Sequence, residues 1–240
     1  MVARTTDTGA GREPAPATTS PGGNGGAAAE VDPSTPTTPG EDMTHEHEPD
    51  SPDSDLSLWL DLQARAHAAF EIRLDAVVDW AAPTPDTEWD TRALVLHVVR
   101  EQQRAHTLLS GGDESPIRLE PVAADLRSEW TRVTTVLRAV SREVDPRAEL
   151  RLGRDTVTAL ELLQEQVADI TVHTWDLARA TGSEEAMEEG LVAAVWELFA
   201  PQEETLRASG LFAAPVPIDT TAPLQSRLLA VTGRDDRLAA

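Results

Sequence analysis

The chain has 240 residues, a formal charge of −22 and no cysteine, and all 20 of its basic residues are arginine. Eleven acids and two arginines precede residue 56, giving −9, and 31 acids against 18 arginines follow it, giving −13. Acidity on both sides excludes nucleic acid and anionic membranes as partners, which need clustered positive charge; the lack of cysteine excludes disulfides and a cysteine nucleophile, so any zinc must be held by His and carboxylate.

Residues 1–54 hold eight of the 17 prolines, the runs GGNGG and STPTTPGED, and almost no large apolar side chain. Such a stretch cannot bury enough surface to offset its ordering entropy. It reads as a disordered Pro/Gly/Thr-rich acidic tail in front of one folded domain over 55–240. No segment has the apolar core of a signal peptide or the ~18 apolar residues of a membrane span, so the expected location is cytoplasmic.

Helices separated by Pro and Gly follow. The first is expected over about 57–80, with Leu58, Leu62, Ala66, Phe70, Leu74 and Val77 at helical spacing, and the APTPDT loop ends it. The second starts at Thr87 and Asp90, read as a capping box, and runs to Ser110 before Gly111 and Gly112. A third spans about 122–143, carrying Leu126, Trp130, Val133, Leu137 and Val140. The fourth runs from about Asp155 to Gly182, where glycine supplies a left-handed stop. A fifth is expected over about 183–209 and a short sixth within PLQSRLLAVTGRD, with Pro223 in its first turn and Gly233 after its last. The one strand candidate is FAAPVPI. Long helices with short connections make the fold class all-α, an antiparallel four-helix bundle with additional C-terminal helices.

The chemistry lies in ADITVHTWDLARATG and RALVLHVVREQQR. Asp169 and His173 are four residues apart on one helix, so their side chains point the same way about 6 Å apart and can close on one cation. His97, on the second helix, is the third donor. Glu165, one turn before Asp169, adds like-charge repulsion that a cation would relieve. Gln166, Asp169, His173 and Asp176 fall on one stripe, flanked by Leu163, Val167 and Ile170, so the stripe borders the core. By spacing alone, Asp169 and His173 are more often a polar pair without metal. The third histidine shifts the balance toward a metal site.

The segments PTPDTEWDTRALVLHVV, VADITVHTWDLARATG and VPIDTTAPLQSRLLAVTGRD resemble the DinB/YfiT-like metal-binding bundles, and most nearly the branch related to mycothiol-dependent maleylpyruvate isomerase. The likeness extends over most of 56–240. It implies a divalent metal, usually zinc, held by His97, Asp169 and His173, and mycothiol or a related thiol as cosubstrate. Better-known isomerases carry Glu where this chain has Asp169, and members of the branch often have Cys at position 86 and Asn at position 96, here Asp86 and Leu96. The isomerase also carries a further C-terminal domain.

Three protein ligands with an open fourth position is the catalytic pattern of zinc. The expected function is therefore a metal-dependent thiol S-transferase or isomerase acting on a small-molecule thiol and an electrophilic substrate. The alternatives are a non-catalytic metal-binding stress or regulatory module and a metal-dependent hydrolase. Asp176 is expected to pair with Arg179 three residues on, with a lesser chance of orienting a ligand histidine. Arg100 and Arg104 lie on the His97 side of their helix, where they either form surface salt bridges or steer an anionic substrate. Trp175 is expected to pack the bundle, and His67 and His106 to be ordinary packing or surface residues. His45 and His47 in the tail are weak candidates. A homodimer is left open.

Overall fold

The computed structural model describes residues 52–112, 125–152, 155–202, 204 and 213–238. Among these, the elements in chain order are α1 (Pro52–Asp75), α2 (Thr91–Leu109), α3 (Leu126–Ser141), β1 (Glu149–Leu152), β2 (Asp155–Thr158), α4 (Ala159–Thr181), α5 (Glu189–Phe199), a 3-10 turn over Ala200–Gln202, and α6 (Leu224–Val231). Helix α1 packs on α4 and α3, and α2 packs on α3 and α4. Phe70, Leu94, Val98, Trp130, Val167 and Ile170 fill the space between them. A second apolar cluster, Leu108, Leu137 and Leu162, is capped by Leu150 and Val157 of the hairpin. Helix α5 rests on α4 and α6. None of these helices is long and apolar enough to cross a membrane.

Several boundaries differ from the sequence reading, each for a local reason. The expected tail lies outside the described residues except for its last three positions, which open α1. Helix α1 stops at Asp75 and not near 80, because Ala76 and Val77 close it with bonds to carbonyls three residues back. Val77 is buried and Trp80 still packs on the core, so the apolar period outlasts the helical backbone. The Thr87–Asp90 capping box does not form. Thr84 Oγ1 donates to the carbonyls of Asp86 and Trp89, tying 84–89 into a loop, and Asp90 caps α2 itself by accepting from Ala93 N at 2.8 Å.

The expected start of the fourth helix at Asp155 is corrected as well. Residues 149–152 and 155–158 form an antiparallel pair of strands with Glu149 opposite Thr158 and Leu152 opposite Asp155. The β-branched run Thr156, Val157, Thr158 favours extended backbone. Helix α4 begins one residue later behind a capping box between Thr158 and Glu161, and ends at Gly182 with φ 64°. Helix α5 begins at Glu189 and not at 183. Residues 183–188 form neither helix nor strand, their carbonyls at Glu184 and Ala186 taken by Arg73 and that of Glu185 by Gln225. Residues 203 and 205–209 of the expected fifth helix lie outside the described residues, and 213–218 of FAAPVPI are not a strand. Helix α6 forms where expected, with Gly233 at φ 80° after it.

Candidate metal centre

The packing of α2 on α4 sets His97 across from Asp169 and His173. His97 Nε2 lies 3.8 Å and His173 Nε2 3.4 Å from Asp169 Oδ1. One ligand atom from each of the three residues lies within 4.8 Å of the other two. Ligands bound tetrahedrally at zinc–nitrogen and zinc–oxygen lengths stand about 3.3 Å apart, so the spacing nearly suits one ion. Asp169 Oδ2 is buried and has no hydrogen-bond partner. A buried carboxylate oxygen without a partner, on a residue whose other oxygen faces two imidazoles, is a polar group a cation would satisfy. The side chains of His97 and Asp169 remain 18% and 23% exposed, against 7% for His173, so the cluster opens to solvent on the α2 side.

The charges are arranged accordingly. Burial alone would raise the Asp169 carboxyl, but His173 and His97 outweigh it and hold it far below the usual carboxylate range. Burial would lower His173, yet Asp169 and Asp176 push it up to about 9. The metal-free cluster therefore holds a proton on His173 that an ion would have to displace. Trp89 lies against His97 with ring centroids 4.5 Å apart and reaches His173 at 5.7 Å, walling one side of the cluster.

Asp176 departs from the expected pairing with Arg179. It is fully buried, and its Oδ2 accepts from His173 Nδ1 at 3.0 Å and from Arg234 Nη2 at 2.8 Å, while Oδ1 accepts from Arg234 Nε at 3.2 Å. Burial opposes the charged form of Asp176, but His173 and Arg234 keep its carboxyl below the ordinary range. Arg179 turns the other way, to Glu185 and the carbonyls of residues 235, 236 and 238, with its guanidinium over Trp175. Helical spacing favours a partner one turn away, and a residue 58 positions on gives no local signal. Its only trace in the sequence is the ending VTGRD.

Among the other candidates, Arg100 is exposed and Arg104 pairs with Glu101 at 2.9 Å. Glu165 has an exposed surface, yet its carboxyl is held above the ordinary range, by burial first and in smaller part by the charge of Asp169, against Arg104, so the like-charge repulsion persists. His67 is buried and bound. Its Nε2 donates to Gln102 Oε1 at 3.1 Å, Gln102 Nε2 donates to Gln166 Oε1 at 2.8 Å, and its ring meets Trp130 edge-on. His106 is partly exposed on the far side of α2, and His45 and His47 lie outside the described residues.

Residues 64–178 match the family model described as the mycothiol maleylpyruvate isomerase N-terminal domain. No curated protein and no solved structure matches the chain. The matched stretch contains His97, Asp169, His173 and Asp176, and Arg234 lies beyond it.

Proposed function

Since residues 64–178 belong to the mycothiol maleylpyruvate isomerase N-terminal domain family, we propose that this protein binds a divalent metal ion, zinc foremost, at His97, Asp169 and His173. We read the mutual packing of α1 to α4 as the family's antiparallel four-helix bundle, which serves as the frame for that site. The activity that follows is a thiol S-transferase or a thiol-dependent isomerase, with mycothiol or a similar low-molecular-weight thiol as one reactant and an electrophilic carbon compound as the other.

The observation that carries this reading is the convergence of three donor residues across α2 and α4, with Asp169 Oδ1 facing both imidazoles and its second oxygen, Oδ2, buried without a protein partner. When bound, the ion supplies Lewis acidity, lowering the pKa of a thiol or water at its open position. The protein's own groups set a charge balance that favours the deprotonated form of either. Two neutral imidazoles and one carboxylate leave a dication with a charge of +1, and Asp176 and Arg234 cancel each other. An anionic sulfur brings the buried cluster to neutrality, which a neutral ligand does not. His97 and Trp89 form the wall past which a thiol must enter, and the aromatic face favours its apolar portion.

Metal content per chain after dialysis, for the parent and for His173→Ala, tests the binding claim. Near one equivalent in the parent and near none in the variant is expected. Cobalt substitution tests the thiol claim, since sulfur coordination adds a charge-transfer band. A cobalt form whose spectrum ignores millimolar thiol would leave metal binding standing and remove the transferase and isomerase readings.

A further inference from the structure

We infer that Arg234 is a positioning residue for the metal centre, holding Asp176 so that His173 presents its Nε2 lone pair to the ion; the inference rests on the metal reading above. Asp176 has no exposed surface, and both of its oxygens are taken. Arg234 grips the carboxylate with two parallel N–H donors at 3.2 and 2.8 Å, a fork that fixes its plane as a single point charge would not. The same Oδ2 then receives His173 Nδ1 at 3.0 Å. With Nδ1 committed as donor, Nε2 is the free nitrogen, and it faces Asp169.

Arg234 is itself placed with little freedom. Its third nitrogen, Nη1, donates to Thr232 O at 2.7 Å, and only 7% of the residue is exposed. The turn that aims it inward depends on Gly233, where φ is 80° and a Cβ would fall 2.6 to 2.9 Å from Ala213. A structural ion pair alone would require the Arg234–Asp176 contact; it would not require that the carboxylate also receive the ligand histidine. The guanidinium thus acts on the ion through Asp176 and His173, two contacts away.

The test compares the full-length parent with Arg234→Met, Arg234→Lys and Arg179→Met. The last loosens the same segment at residues 235, 236 and 238 without touching a ligand. Zinc affinity is read by competition with a chromogenic chelator, and folding by far-ultraviolet circular dichroism. Arg234→Met should weaken zinc by about 10- to 100-fold, Arg234→Lys by less, and Arg179→Met not at all. Equal loss in the Arg179 and Arg234 variants, or parent affinity in a folded Arg234→Met, would overturn the inference. If Arg234→Met does not fold, the double variant Asp176→Asn with Arg234→Met leaves no unpaired charge and takes its place, with the same weakening expected; parent affinity there also overturns it. The proton on His173 Nδ1, followed by nitrogen-resolved NMR without metal, gives an independent readout. It should be slowly exchanging in the parent and lost in Arg234→Met. A parent that takes up no zinc sinks the metal reading alone, and persistence of that proton in the variant then sinks the positioning role.

Discussion

Asp169 is the one anion among the three donors, and its two oxygens divide the work: Oδ1 faces both imidazoles and Oδ2 has no protein partner. Asp169→Asn should therefore weaken zinc by more than about 100-fold, beyond the usual cost of losing an outer partner, as read in a chelator competition. The proton on His173 gives a second expectation. With its pKa near 9 in the metal-free protein, His173 is charged at pH 7 and must release that proton to bind. Calorimetry in buffers of different ionisation heat should show about one proton released per zinc at pH 7, with affinity rising with pH and levelling above about 9. His67 titrates in the opposite sense: burial first, then Arg138, lowers it from 6.5 to about 4 against the bond from Gln102. The unfolded chain then binds a proton that the folded one refuses. The stability this group contributes is complete above pH 6.5 and is lost as pH falls toward 4, by roughly 2 to 3 kcal/mol. Urea unfolding of His67→Gln should lack that part of the acid sensitivity. The cluster of donors was legible because Asp169 and His173 share a helix face at one-turn spacing. His67 and Arg234 were not, because their partners come from other elements and no local period marks them.

Helix α4 carries two of the three donors, and both of its ends are defined by side-chain or glycine chemistry. Thr158→Ala removes the side-chain half of the capping box, the bonds of Oγ1 with Glu161 N and Oε2, and should cost about 1 kcal/mol in a denaturant melt. Zinc affinity should stay at the parent value, since Asp169 lies three turns further on. At the other end, Gly182 sits at φ 64° with open space where a Cβ would go, so Gly182→Ala adds backbone strain of roughly 1 kcal/mol and no clash. Polar punctuation made the C-terminal end of α4 readable in the sequence. Its start was not, because the pattern of Val157, Leu160 and Leu163 continues the helical period through residues that pair as a strand with β1. The same competition misplaced the start of α2, where the loop bonds of Thr84 overrode the capping signal of Thr87.

For the molecule as a whole, the mainly helical class followed from apolar periodicity. The hairpin and the irregular segment over 183–188 escaped that reading because their backbone is held by bonds to other parts of the chain rather than by their own pattern. If the ion binds the folded chain alone, zinc at 100 times its dissociation constant should add about 2.7 kcal/mol of stability. Thermal melts with zinc and with excess chelator measure this, and the chelator should reverse the shift fully.

Arg234 follows His173 by 61 positions in the chain, and this separation bears on how the centre matures. At synthesis rates of roughly 5 to 20 residues per second, Arg234 is added some 3 to 12 s after His173. During that interval the nascent chain carries His97, Asp169 and His173 while Asp176 lacks its countercharge. If the cluster binds metal as proposed, tight capture should be deferred until translation has passed residue 234, and a chain stalled short of that point would hold the three donors without the group proposed to set one of them.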